Sequence, residues 1–120
     1  MYQIRVDVGK NRLYVTFSGF IQVEEAKKSV DEAIQATEKL RRGYDVITDV
    51  SQLKPSPPEV IAEIGRIQAH FIASGVRRGV RVVGEAALTG MQFSRTGKKI
   101  NYNSNNVATL EEAEKVLEAP

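Results

Sequence analysis

The sequence predicts one α/β domain in the order β-β-α-β-α-β-(α)-β-α, with a mostly parallel sheet whose first strand runs antiparallel. Three observations lead there. First, Tyr2 to Val8 and Leu13 to Phe20 alternate apolar and polar residues on either side of Gly9-Lys10-Asn11-Arg12, the pattern of a hairpin. Second, the period changes to three and four residues after Val23, which is one face of a helix. Third, strand-like and helix-like runs then alternate to the end of the chain. Such runs build βα units, and strand–helix–parallel strand crossovers are right-handed almost without exception.

The elements follow in order. In the hairpin, Tyr2, Ile4, Val6 and Val8 share one face, as do Leu13, Val15 and Phe17. Helix one is expected from Val23 to Arg42, with Val23, Ala26, Val30, Ala33, Ile34, Thr37 and Leu40 inward. Gly43 ends it, and Arg41-Arg42 suits its negative dipole end. Tyr44 to Val50 is a short strand with its apolar residues too close together for a one-sided sheet, so it is expected to be buried on both faces. Helix two is expected from Ser56 to Ser74, with Val60, Ile61, Ile64, Ile67, Phe71 and Ile72 inward, stopped by Gly75. Gly79 to Glu85 reads as a strand, Ala86 to Arg95 as a short helix, Lys99 to Tyr102 as an edge strand and Asn103 to Asn106 as a polar loop. Thr109-Leu110-Glu111-Glu112 is a capping box opening a last helix with Leu110, Ala113, Val116 and Leu117 as its apolar stripe.

At 120 residues the chain has the size of one domain that can bury a core without staples. It has no Cys, which excludes a disulfide framework and a thiol nucleophile and fits a reducing, cytoplasmic setting. No apolar run approaches the roughly 20 residues of a membrane span, and the alternating Met1-Tyr2-Gln3-Ile4-Arg5 does not read as a signal peptide. Net charge is +2, from 17 basic and 15 acidic residues. The basic ones concentrate: Arg66, Arg77, Arg78, Arg81, Arg95, Lys98 and Lys99 face only Glu85 in that stretch. This is either a solvated face or a surface for an anionic partner.

Four stretches together resemble the STAS domain, the fold of bacterial anti-sigma-factor antagonists, and its SpoIIAA-like relatives. They are Leu13 to Phe20, Tyr44 to Leu53, Gly79 to Gly84 and Thr109-Leu110-Glu111-Glu112-Ala113. Regulatory STAS domains carry Asp-Ser-Ser-Gly at the start of helix two, where a Ser is the phosphorylation switch. Counted from Asp49 without a gap, those serines fall on Pro58 and Glu59, and the nearest hydroxyl is Ser56. The SpoIIAA-like branch lacks that motif and is the nearer comparison. The resemblance implies a non-enzymatic regulatory or binding module.

The chemistry-bearing residues each have a structural reading beside a functional one. Ser56-Pro57-Pro58-Glu59 reads as a capping box with Pro at the first helical position. A phosphate would also sit well on that dipole end, which makes Ser56 the phosphoacceptor candidate. Asp49 ends a buried strand and can fix the following loop or orient a ligand. His70 is the sole His and falls at the flank of helix two. With no Cys beside it, no metal site of the usual kinds can be assembled, and no cofactor is expected. A Ser56–His70–Asp49 triad fails on geometry, since fourteen residues of helix separate Ser56 from His70 by ~20 Å. Gly90 to Lys99 has the wrong spacing for a phosphate loop. Its mixed makeup (Met91, Phe93, Arg95, Lys98) suits a contact loop instead. The expected site therefore combines Asp49, Ser51, Ser56, Met91, Phe93, Arg95 and Lys98, with no catalytic residue. It would bind a small amphipathic or anionic ligand or an acidic protein, with a homodimer open and nucleic acid disfavoured for want of aromatic platforms.

Overall fold

A computed structural model describes residues 1–84 and 104–119. The elements are β1 (Tyr2–Asp7), β2 (Arg12–Gly19), α1 (Val23–Thr37), β3 (Asp45–Leu53), α2 (Pro58–Ala73), β4 (Arg78–Val82), β5 (Ser104–Val107) and α3 (Leu110–Glu118). The sheet has five strands in the order β1-β2-β3-β4-β5, with β1 antiparallel to β2 and the other pairs parallel. This is the expected class and topology. No helix among the described residues is long and apolar enough to cross a membrane.

The strand alternation sorts side chains into two layers. Leu13, Val15 and Phe17 of β2 and Val46 and Val50 of β3 pack with Val30, Ala33, Val60, Ile64, Ile67 and Phe71 beneath α1 and α2. Tyr14, Ile47, Val80 and Val82 point the other way, against Ala113 and Leu117 of α3. β3 is thus buried on both faces, as its crowded apolar residues predict.

Several boundaries differ from the sequence reading. α1 stops at Thr37, five residues before Arg42. The Thr37 hydroxyl donates back to the Ile34 carbonyl at 2.6 Å, and the next amides bond three residues back instead of four: Lys39 to Ala36 and Leu40 to Thr37. The tighter turn keeps Leu40 against the core, so the apolar period outruns the helix. β3 runs on to Leu53, past the expected end at Val50. The register shifts from Thr16↔Asp49 to Ser18↔Gln52, so β3 carries one extra residue. The cause is local: Asp49 Oδ1 accepts from the Ser51 amide at 3.0 Å, which takes that amide out of the ladder and makes a bulge.

α2 begins at Pro58 with Pro57 as its N-cap and no side-chain cap, so Ser56 lies one residue outside the capping position expected of it. β5 occupies Ser104–Val107, where a polar loop is expected; parallel pairing to β4 overrides the weak strand propensity of Ser-Asn-Asn. The helix expected over Ala86 to Arg95, the edge strand over Lys99 to Tyr102 and the Gly90 to Lys99 loop lie outside the described residues.

Two helix ends carry measurable stability. α2 closes in a Schellman motif: Val76 N–H donates to Phe71 O at 3.0 Å and Gly75 N–H to Ile72 O at 3.2 Å, with Gly75 at φ +85. A Cβ there would also lie 2.8 Å from the Arg42 guanidinium carbon. At α3, the Thr109 hydroxyl accepts from the Glu112 amide at 3.1 Å, and Glu112 reaches back to the Ala108 amide at 3.1 Å. Gly75→Ala is expected to cost about 1–2 kcal/mol through its left-handed backbone, and Thr109→Ala about 1 kcal/mol, both read from urea unfolding.

Tyr44 is buried under α1 and α2, and its hydroxyl lies 2.6 Å from Ser74 Oγ. Burial raises its phenol pKa above the ordinary 10.0, partly offset by the Ser74 hydrogen bond. The neutral phenol is the form the folded state favours, so its contribution is complete below pH 10.0 and lost as pH rises through the folded pKa. Unfolding stability should therefore fall more steeply above that pH in the wild type than in Tyr44→Phe, as checked by denaturant titration across the alkaline range.

Candidate functional site

The expected basic surface does not form from the described members of its stretch. Arg66 pairs with Glu63 at 2.7 Å and Asp31 at 3.0 Å, tying α2 to α1. Arg77 grips Asp45 through two bonds of 2.9 and 2.6 Å. Arg78 donates to the Ala119 carbonyl at 2.8 Å, and both Arg77 and Arg78 reach Leu117 O. The two arginines thereby satisfy orphan carbonyls at the negative end of α3. Arg81 is buried and donates to Asn106 of β5 at 3.0 Å. The four are dispersed over both layers and engaged in holding the fold. Their guanidinium hydrogen bonds to Glu63 and Asp45 raise the pKa of Arg66 and Arg77 above the ordinary arginine value.

The α2 N-terminus is a poor anion seat. Pro57 and Pro58 have no N–H, while the Val60 and Ile61 amides both donate to Pro57 O, at 3.0 and 3.1 Å. Of the first turn only the Glu59 amide remains, and Glu59 brings its own negative charge to that end. Ser56 is half-buried beside it. Asp49 does not join Ser56: its side chain faces the α3 layer, whereas α2 packs on the opposite one. Asp49 and Ser51 do meet, for Asp49 Oδ1 also accepts from Ser51 Oγ at 2.7 Å. Met91, Phe93, Arg95 and Lys98 lie outside the described residues. His70 sits at the flank of α2, and its Nε2 is 2.8 Å from Thr37 Oγ1. The Thr37 hydrogen is committed to Ile34 O, so the imidazole N–H is the donor.

The α3 side of the sheet holds a different arrangement. The register sets Gln3, Thr16, Asp49 and Val82 in one row across β1 to β4. The next row is Arg5, Tyr14, Ile47 and Val80, and the third is Asp7, Arg12, Asp45 and Arg78. α3 covers the β4 end of these rows and stops short of β1. The part of the first two rows that α3 leaves open forms a cleft of ≈ 180 Å³, closed at one side by Leu110, the first residue of α3.

Its walls are organised. The Arg5 guanidinium carbon lies 3.8 Å from the centroid of the Tyr14 ring, a cation–π contact. The Tyr14 hydroxyl donates to Glu114 Oε1 at 2.6 Å. Glu114 Oε2 takes the buried Arg12 guanidinium, with Lys10 at 3.8 Å. This ion-pair cluster locks α3 onto β2 and so sets the cleft's edge. Asp49 Oδ1 is held by Ser51, and its other oxygen has no hydrogen-bond partner among the described residues.

Gln3, Arg5, Tyr14, Thr16 and Leu110 are not among the residues that the sequence reading selects. A signal for them existed: the same alternation that sends Ile4, Val15 and Val46 into the core sends Gln3, Arg5, Tyr14 and Thr16 to the other face. An aromatic beside an Arg on that face marks it as more than solvated surface.

No family model matches the chain, and no curated protein matches it. Among solved structures, the NMR structure of the protein TM1081 superposes over 100% of this chain and 90% of that one, with a TM-score of 0.60 at 15% identity. At that identity the likeness shows the fold.

Removing Glu114 strands the buried Arg12 guanidinium. Wholly buried pairs broken on one side cost about 3–5 kcal/mol. Glu114 keeps some contact with water, so Glu114→Ala is expected to cost roughly 2–3 kcal/mol in chemical denaturation. Replacing both partners together, as Arg12→Met with Glu114→Leu, should recover most of it.

Proposed function

We propose that this chain is a non-enzymatic binding module similar to the STAS/SpoIIAA-like domains, and that it holds a small amphipathic ligand in the cleft over Gln3, Thr16 and Asp49. The cleft is the observation that carries the reading. It lies over the middle of parallel strands β2 and β3, on the face that α3 covers only in part. It joins an apolar wall, the exposed Leu110, to a few fixed polar groups, which is the makeup of a small-molecule site. At ≈ 180 Å³ it falls below the roughly 300–1,000 Å³ of sites for drug-sized ligands, which suits a small metabolite and not a nucleotide.

Binding suits these groups better than catalysis. A nucleophile needs a base within hydrogen-bond reach. Thr16 and Asp49 are register neighbours, yet no hydrogen bond links them. An acidic protein partner has less support, because Arg66 and Arg77 are paired with the protein's own carboxylates, Arg78 with the end of α3 and Arg81 with Asn106. A switch at Ser56 also has less support, since that residue is half-buried and lies outside the cap of α2.

Native mass spectrometry of protein purified from cells tests the reading, with Thr16→Phe as the variant that fills the cleft. The wild type should carry a small-molecule mass that the variant, with unchanged circular dichroism, lacks. Cargo retained by Thr16→Phe would place binding elsewhere. An empty wild type that no compound stabilises in a thermal-shift screen would also count against the proposal.

A further inference from the structure

The charges in the cleft specify more than size. Arg5 belongs to β1 and Asp49 to β3, with β2 between them, and they sit in adjacent rows of the register. Two strand spacings across and two residues along separate their Cα atoms by ~12 Å. The two side chains do not pair, although both line the same cleft. Arg5 makes no hydrogen bond or ion pair among the described residues, so beside the Tyr14 ring its N–H donors are available. Asp49 is the mirror case, with one oxygen anchored by Ser51 and the other without a partner there. Thr16 lies between them and Gln3 beside Arg5 as neutral hydrogen-bonding groups, and Leu110 supplies the apolar surface.

Resting on the binding reading above, we propose that the ligand is a small zwitterion of the amino-acid class. Its carboxylate meets Arg5, its ammonium meets Asp49, and a short apolar body lies against Leu110. An anion alone would leave the Asp49 carboxylate unmatched and close to added negative charge. A cation alone would do the same at Arg5. One molecule carrying both charges satisfies both corners at once, and the small volume limits what separates them.

Isothermal titration with leucine, 4-methylpentanoate and 3-methylbutylamine separates these cases, because the three share one apolar body and differ only in charge. The remaining apolar amino acids, from alanine to phenylalanine, complete the zwitterion panel. At least one zwitterion should bind about tenfold or more tightly than either singly charged analogue, as expected for loss of a charge-assisted bond. Arg5→Gln and Asp49→Asn should each remove that advantage; Asn retains an oxygen for Ser51, which keeps the loop folded. Equal binding of 4-methylpentanoate and leucine would overturn the zwitterion assignment while leaving the cleft as a site. So would a zwitterion advantage untouched by both substitutions. If no zwitterion binds while purified protein carries cargo lost in Thr16→Phe, the class is wrong and the module reading stands. If there is neither binding nor cargo, both fall.

Discussion

The arrangement of this molecule turns on one shortage: on the α3 side of the sheet, the described residues provide one nine-residue helix to cover five strands. On the other side α1 and α2, of 15 and 16 residues, bury a continuous core. α3 is about 13 Å long and about 10 Å across, whereas five strands span roughly 19 Å. It can shelter Ile47, Val80 and Val82 or the β1 side, but not both. The chain settles it over β4, and the strip over β1 and β2 keeps polar residues at Gln3, Arg5 and Thr16. The cleft is the seam between the two regimes.

A helix that short is marginal by itself, and its two fully buried residues, Ala113 and Leu117, supply little area. Its position is therefore fixed by polar ties: the Thr109 cap at one end, the Arg77 and Arg78 bonds at the other, and Glu114 to Arg12 and Tyr14 between. This accounts for where the basic residues went. Arg77 and Arg78 read as a charged patch along the chain because they are adjacent in sequence and rich in charge. In space they complete a helix terminus and an ion pair, and little of their charge is left to attract a distant anion. Sequence clustering of charge is evidence of a field only when the partners are absent, and here the partners, Asp45 and the last carbonyls of α3, are distant in sequence.

What could be read in advance follows the same division between local and non-local causes. The hairpin, the two-sided burial of β3, the inward stripe of α1, that of α2 apart from the exposed Ile72, and the Thr109–Glu112 cap each depend on residues within one element, and periodicity exposes them. β5 was hidden because Ser-Asn-Asn-Val becomes a strand only by pairing with β4. The far end of β3 was hidden because the Asp49–Ser51 bond breaks the alternation at the point where the strand continues. Ser56 misled for a related reason. Ser-Pro-Pro-Glu fits a capping box, yet the second proline, not the first, takes the first helical position, which moves the cap to Pro57. In the site, Asp49 and Ser51 were visible as an Asp-apolar-Ser end to an apolar strand. Arg5, Tyr14 and Thr16 needed the register, because no spacing along the chain puts β1 beside β3.

Asp49 joins the two halves of this account. A carboxylate that only built the bulge would need one oxygen, for the Ser51 amide and hydroxyl share Oδ1. A carboxylate that only met a ligand would need no bulge. Building the bulge gives the group a fixed orientation from the backbone it distorts, so under the proposed function its second oxygen costs little entropy to hold in place. Arg5 gains the same advantage from the Tyr14 ring, and Tyr14 in turn from Glu114. Each charged corner of the cleft is thus immobilised by a contact that also serves the fold. Groups ordered before a ligand arrives waste less binding energy on ordering, and that is the physical ground for proposing recognition at this face and not at the proline-blocked start of α2.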